Sequence, residues 1–285
     1  MRSTPYEATD IFEFLAEVAH VDGHPPLSEH KVATLSRETG RVGVWSDEAG
    51  LCVVAVAARH AGHGHWAIEA ALAPRRRQRD DEEAAIEQAI GLVSPGEPHS
   101  FWAFRPRQAD AAGRLGYDEA RSVLRMSGPI PTARVGAVPG ISIGPMVGSD
   151  VDAIVGVNNR AFVNHREQGL MTVEGFRSLM DRAWFDPGGV HVARSAERIV
   201  GFCVTKQAEP DVGEVHLLAV DPEMAGLGIG RALAQRGFAA MSDRGAVTAH
   251  AWVDAANQPA VGLYQAFGLA EDFRNREFVP ATGSS

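Results

Sequence analysis

The chain of 285 residues holds only two cysteines, Cys52 and Cys203. Both lie in apolar, strand-like segments and neither belongs to a paired-cysteine motif, so no disulfide framework is expected. They read as buried free thiols in a reducing cytoplasm. Basic side chains are also scarce, 27 Lys and Arg against 36 Asp and Glu, for a formal charge of −9. A nucleic-acid binder normally presents a basic face, so nucleic acid is not an expected partner. The acidic balance suits a small cationic substrate instead. No apolar run reaches the roughly 18 residues that cross a bilayer. The N-terminus, Met1-Arg-Ser-Thr-Pro-Tyr-Glu7, leads into an amphipathic stretch with acids in it, unlike a signal peptide. A cytoplasmic protein with no membrane partner is expected from these absences, and a monomer is expected, although they do not bear on oligomeric state.

Hydrophobic residues make up 45% of the chain and charged residues 22%, the balance of a globular protein. The length fits two domains of about 140 residues. In the first half, Ile11, Phe14, Leu15 and Val18 recur at the spacing of one helix face, which predicts a helix near Tyr6–His20. A second helix is expected near Ser28–Thr39, then strands at Arg41–Trp45, Leu51–Ala58 and His65–Leu72. A charged helix over Arg79–Val93, a strand Ser100–Phe104, a short helix Gln108–Leu115 and a strand Arg121–Met126 follow. Ser127–Pro139, with Pro129, Pro131 and Pro139, reads as a linker. The second half repeats the order. Helices are expected near Asp150–Phe162, Thr172–Ala183, Gly228–Ser242 and Gln258–Phe267, and strands at Ile141–Ile143, Val190–Arg194, Arg198–Gln207, Glu214–Val220, Val247–Val253 and Phe273–Val279. Trp66–Pro74 parallels Glu214–Pro222, Trp102 parallels Trp252, and Leu115-Gly116-Tyr117 parallels Phe267-Gly268-Leu269. A repeat unit this long indicates duplicated domains, here 1–138 and 139–285.

The segment richest in chemistry is Glu214-Val-His-Leu-Leu-Ala-Val-Asp-Pro222, followed by Glu-Met-Ala-Gly-Leu-Gly-Ile-Gly-Arg231 and an apolar-periodic helix. It reads as a strand, a glycine-rich turn and a helix N-terminus. Gly226, Gly228 and Gly230 allow close backbone approach, and the helix-start N–H groups with the helix dipole form a site for a diphosphate. A glycine-rich turn alone is weak, because it also serves nucleotide sites and plain structure. The sequence Asn257-Gln-Pro-Ala-Val-Gly-Leu-Tyr264-Gln-Ala-Phe-Gly268-Leu, after a further strand, makes the pattern specific.

Taken together these motifs resemble the GCN5-related N-acetyltransferase superfamily. The resemblance implies an α/β (α+β) fold class of two tandem acetyltransferase-like domains, each a mixed, splayed sheet flanked by helices. It implies acetyl-CoA beside the strand ending at Val220, with Leu218, Ala219 and Val220 along the acyl and pantetheine arm. Ala225, Gly226, Leu227, Gly228, Ile229, Gly230 and Arg231 would hold the diphosphate, and Asn257 would contact the pantetheine. Ala225 stands where the family usually has a polar residue, and Leu227 where an arginine is common. A narrower match covers nearly the whole chain: Val21-Asp-Gly23, Asn158–Phe162, His165–Gly169, Ala183–Pro187, Thr205-Lys206 and Gly213–Val215 resemble the mycothiol synthase family. That family acetylates the cysteinyl amine of cysteinyl-glucosaminyl-inositol. By that resemblance the substrate contacts fall on Glu29, Glu167, Lys206 and Glu214, and on Trp252 where the family usually has tyrosine.

An alkyl ammonium must lose a proton before it attacks a thioester, and Glu214 is the candidate base, directly or through water. Leu218 N–H would stabilise the oxyanion, and Tyr264 would protonate the departing thiolate. Each role has a plainer reading. Glu214 also fits a solvated strand-end carboxylate and Tyr264 a core tyrosine, while Glu29, Glu167 and Lys206 fit surface charge. His216 shares a strand face with Glu214 and reads equally as a cleft residue or a satisfied core histidine. His60, His63 and His65 sit in a glycine-rich turn without an acid or cysteine cluster, so no metal is expected. Arg75–Glu83 reads as a solvated helix start. With Trp66 in the place of Glu214, Ala112 in the place of Tyr264 and no glycine loop, the first half is expected to be a scaffold. It would lend Glu29 to a cleft shared with the second. Acetylation of another small amine, or non-catalytic acyl-CoA sensing, remains open at this point.

Overall fold

The computed structural model describes residues 2–3, 7–37, 40–59, 64–132, 136–163 and 169–281. The chain divides into two compact units, residues 1–122 with 274–285, and residues 123–273. The first contains β1 (Arg2–Ser3), α1 (Ala8–Asp22), α2 (Glu29–Arg37), β2 (Arg41–Asp47), β3 (Gly50–Arg59), β4 (Trp66–Leu72), α3 (Arg79–Ile90), β5 (His99–Ala103), α4 (Pro106–Arg114) and the first half of β6 (Tyr117–Pro129). The second contains the rest of β6, then β7 (Ile141–Pro145), α5 (Val151–Ala161), α6 (Val173–Met180), β8 (Val190–Ser195), β9 (Arg198–Glu209), β10 (Val212–Val220), α7 (Ile229–Asp243), β11 (Thr248–Asp254), α8 (Gln258–Ala266) and the start of β12 (Ala270–Pro280).

These units do not part at the proline-rich linker. Residues 123–129 of β6 pair with β11 across Val123↔Asp254 to Pro129↔Thr248, which places them in the second unit. Arg276–Phe278 of β12 pair with β5, which places the chain's last strand residues in the first. The expected boundary after residue 138 followed proline content, whereas strands group by the ladder that satisfies their backbone hydrogen bonds. For the same reason β6 runs through Ser127–Pro129, expected as linker.

Each unit is an antiparallel sheet with one parallel step. In the first, β2, β3 and β4 pair antiparallel and β4 pairs parallel with β5. In the second, β7 to β10 pair antiparallel in order and β10 pairs parallel with β11. A parallel pair needs a crossover, and α3 and α7 supply it. The helix face predicted from Ile11, Phe14, Leu15 and Val18 is the buried face of α1, packed on Cys52, Val54 and Val56. In the second unit α7 buries Leu233, Ala234, Phe238 and Met241 against Val215, Ala249 and Ala251, while α5 and α6 bury Ile154, Val157 and Phe176 against Val192, Phe202 and Val204 on the other face. Cys52 and Cys203 are buried free thiols, as expected, and burial pushes Cys203 up to about 12. Among the described residues no helix is long and apolar enough to cross a membrane.

Phe238 is fully buried and meets Phe267 edge-on at a centroid distance of 5.1 Å. Phe238→Ala should lower unfolding stability by about 3–5 kcal/mol through lost burial and a residual cavity. Urea denaturation of the two proteins checks this.

Candidate active site

The site begins where two strands separate. β10 pairs with β9 as far as Val220↔Gly201, but with β11 only from Val212↔Thr248 to Val215↔Ala251. Beyond Val215 the edge of β10 that faced β11 lies outside that ladder. Leu218, Ala219 and Val220 follow along this edge. The β9 ladder also slips between Val215 and Leu217, a bulge. Its effect is visible in the packing: Leu217 joins the α5–α6 cluster, while Val215 and Leu218 join the α7 cluster.

Asp221 closes the strand. Its side chain is fully buried, receives hydrogen bonds from Arg160 (2.8 Å) and Arg198 (2.6 Å), and accepts from Glu223 N at 3.2 Å. Burial alone would raise its carboxyl, but these partners hold it below the usual range. The loop that follows is exposed. Gly226 and Gly228 take φ of 78° and 83°, left-handed values that strain any side-chain-bearing residue. Gly228 is the N-cap of α7, whose first turn carries unpaired N–H groups over a 15-residue helix. Gly230 has no such requirement: a Cβ added there would stand 3.6 Å from Val220 Cγ2, an ordinary contact. The Arg231 guanidinium lies 5.8 Å over the Phe267 ring, and Ala225 and Leu227 are exposed. Backbone amides therefore dominate this cradle.

Asn257 has a use that the sequence does not reveal. It caps α8, its Oδ1 accepting from Ala260 N at 3.2 Å, so one of that oxygen's two lone pairs is committed to the helix start. Tyr264 is buried in the α7–α8 core, and its hydroxyl has no hydrogen bond among the described residues. Burial holds the phenol well above its ordinary range, with the charges of Cys203 and Glu214 acting in the same direction. At neutral pH it keeps its proton.

Glu214 is not a solvated strand-end carboxylate. Its Oε1 lies 2.7 Å from His216 Nδ1, and its Oε2 lies 3.5 Å from both Lys206 Nζ and His250 Nε2. Burial pushes its carboxyl up, but hydrogen bonds from His216 and His250 and the Lys206 charge outweigh this and hold it well below the usual carboxylate range. Lys206 is itself buried and stands 5.6 Å over the Trp184 ring, so its charge is committed to the protein rather than displayed. Trp184 also meets the His216 ring edge-on at 4.9 Å. Trp252 is two residues beyond His250 on β11, on the same face, half-exposed and edge-on to Phe273 at 6.0 Å. Glu29 is exposed at the start of α2 in the first unit. Glu167, His60 and His63 lie outside the described residues, and no group that would hold a metal occurs among those described.

Sequence reading missed His250 and gave Trp184 no role. His250 pairs in register with Glu214 across the parallel step, a relation that no local motif encodes.

The chain resembles known proteins along most of its length. The model described as the acetyltransferase (GNAT) family matches residues 159–269. A mycothiol acetyltransferase from Propionibacterium freudenreichii subsp. shermanii is 34% identical, over 91% of this chain and 84% of its own. One from Thermomonospora curvata is 35% identical, over 90% and 88%. The chain belongs to the mycothiol acetyltransferase family. It is an N-acetyltransferase, and GNAT acetyltransferases take their acyl group from acetyl-CoA. Among solved structures, a GCN5-related N-acetyltransferase from Sphaerobacter thermophilus superposes with a TM-score of 0.74 at 20% identity, over 99% of this chain and 96% of that one. A tandem GNAT protein from the clavulanic acid biosynthesis pathway gives 0.71 at 14%, over 98% and 95%. Both share the fold over nearly the whole chain, and the second is itself a tandem GNAT protein, as expected from the sequence.

The first unit of this family member has the same strand separation, filled by its own side chains. β4 and β5 pair only as far as Glu69↔Trp102. In the gap beyond, Gln108 donates from Nε2 to Ala70 O and accepts from Phe104 N, both at 2.9 Å. Where the second unit has its glycine loop, Arg77 grips Asp22, and Arg105 bonds Glu82 at 2.9 Å. Arg75 and Arg76 bind Asp47, whose carboxyl they hold at about 2. The helix start is thus an ion-pair network, not a solvated charge run. Trp66 is buried, with the guanidinium groups of Arg41 and Arg59 over its ring at 4.3 and 4.7 Å.

Glu214 titrates lower in the folded chain than in the unfolded one. Its stabilising contribution is therefore complete above about pH 4.3 and declines as pH falls toward the lowered folded value. Between about pH 6 and pH 3 the denaturation midpoint of the wild type should fall more steeply than that of Glu214→Gln. Equal slopes would show that the carboxyl is not held low.

Proposed function

We propose that the second unit is the catalytic one and that it transfers the acetyl group of acetyl-CoA to the cysteinyl amine of cysteinyl-glucosaminyl-inositol, giving mycothiol. One observation carries the reading: the strand separation after Val215 opens directly onto the Gly226–Gly228 loop and the α7 N-terminus. A released strand edge suits an amide-bearing arm, and a helix start suits the diphosphate at its end. In this reading the pantetheine lies along Leu218–Val220 and reaches the Nδ2 of Asn257. Residues 225–231 hold the diphosphate through their N–H groups. Leu218 N–H faces the thioester oxygen, and Tyr264, held protonated, supplies the thiolate's proton. The acceptor's ammonium loses its proton at the Glu214 cluster. Lys206 and Trp252 border that cluster, and the acceptor assignment draws support from the named function of relatives matched over about nine-tenths of the chain.

The first unit acts as scaffold in this scheme, because Gln108 and the Arg77–Asp22 pair already occupy the positions a cofactor would need. Titration calorimetry should therefore give one acetyl-CoA per chain. Gly228→Val should weaken that binding by about tenfold, since a non-glycine residue at φ 83° costs about 1–2 kcal/mol. Two sites, or unchanged affinity in the variant, would overturn the assignment of the cradle.

Specificity constants for cysteinyl-glucosaminyl-inositol, free cysteine and glucosamine test the acceptor. The pseudodisaccharide should lead by at least about tenfold, a margin that one or two additional hydrogen bonds supply. If free cysteine is used equally well, the chain acetylates small amines generally and the mycothiol reading fails.

A further inference from the structure

We propose that the proton is removed from the acceptor ammonium by Nε2 of His216, and that Glu214 is the positioning residue that holds this imidazole by its other nitrogen. The inference rests on the acetyltransferase reading of the second unit and assigns a further catalytic residue within it.

Geometry comes first. An ionised carboxylate only accepts hydrogen bonds, so at 2.7 Å from Glu214 Oε1 the Nδ1 of His216 must carry the hydrogen. In the neutral ring the lone pair is then on Nε2. No partner for Nε2 occurs among the described residues, and the side chain keeps 23% of its surface exposed. The edge-on contact with Trp184 fixes the ring plane. An oriented imidazole with one nitrogen anchored and the other open is the arrangement of a general base.

Position along the strand agrees. Glu214 lies within the paired part of β10, opposite His250. His216 is the first residue beyond Val215, where the strands separate. At about 3.3 Å per residue, His216 is within about 7 Å of Leu218 along the strand, and Glu214 about twice as far. The bulge after Val215 keeps His216 on the face of Trp184 and Lys206.

The chemistry of Glu214 makes it poorly suited to take the proton itself. Three cationic or hydrogen-donating groups surround it: Lys206 from β9, His216 from β10 and His250 from β11. They hold its carboxyl well below the range in which it would compete for an ammonium proton. The open Nε2 lone pair of His216 suits the task. In the step, Nε2 takes one proton from the ammonium, the freed amine nitrogen attacks the thioester carbon, and the C–S bond breaks. The CoA thiolate takes a proton from Tyr264, and the second nitrogen proton, lost as the amide forms, replaces it. One proton remains on His216 and passes to water.

The test combines one spectroscopic and one kinetic measurement on the full chain. Nitrogen-15 spectra of the neutral histidines should show His216 as the Nδ1–H tautomer, and Glu214→Gln should remove that preference. An Nε2–H tautomer in the wild type would overturn the proposal, whether or not any variant folds well. His216→Ala should lose roughly 10²–10⁴ in turnover of the acceptor while acetyl-CoA affinity by calorimetry stays within about twofold. Added imidazole should restore at least about tenfold of the lost rate in His216→Ala, and none in Glu214→Gln. Near-wild-type turnover in His216→Ala, or loss without imidazole rescue, would overturn it. Failure of the wild type itself to acetylate the pseudodisaccharide would instead strike the functional reading, and the tautomer would still decide the hydrogen-bond assignment.

Discussion

Two parallel strands that begin in register and then part cannot both satisfy their backbone groups, and this constraint organises the second unit. β10 and β11 run together for four residue pairs and separate after Val215. Everything that suits the chain to an acyl donor follows from what the fold does with the released edge. The bulge at the same point reorients the side chains of β10, and the buried Asp221 with Arg160 and Arg198 pins the strand end so that the glycine loop starts from a fixed place. That loop leads directly into the N-terminus of α7.

The first unit shows the same constraint resolved differently. There the separation of β4 from β5 is closed by the Gln108 amide, which supplies the donor and the acceptor that the strands no longer give each other. Arginines and carboxylates neutralise one another where the second unit leaves helix N–H groups open. The duplicated fold therefore offers one filled gap and one open gap. A side-chain amide is enough to close such a gap, because it reproduces the hydrogen-bonding pattern of a peptide.

The charged cluster around Glu214 follows from burial. A carboxylate taken out of water needs compensating partners, and here Lys206, His216 and His250 arrive from three neighbouring strands. Those partners stabilise the charge and thereby reduce its basicity. The same arrangement fixes one imidazole with its second nitrogen open, which transfers reactivity from the acid to the ring it orients. Buried charge and proton transfer are in this way distributed over two residues of one strand.

Much of this protein is legible in its sequence. Periodicity located nearly every helix and strand of both halves, since alternation and 3.6-residue spacing are local consequences of which face is buried. The glycine turn was legible as well: Gly226 and Gly228 are demanded by left-handed backbone values, and Asp221-Pro222 marks the strand end. Family resemblance named the superfamily and the narrower family. Tertiary structure alone decided what depends on pairing between distant segments. Ladder partners, not proline content, assigned β6 and β12 to their units. The N-cap of α8 engaged the Asn257 oxygen, and Gln108 closed the first gap. His250 came opposite Glu214, and Lys206 was drawn into the interior beside it. The sequence announces a glutamate on a strand with a histidine two residues on, but the other two partners that hold its carboxyl low stand 8 and 36 positions away, and only the register of the sheet brings them within reach.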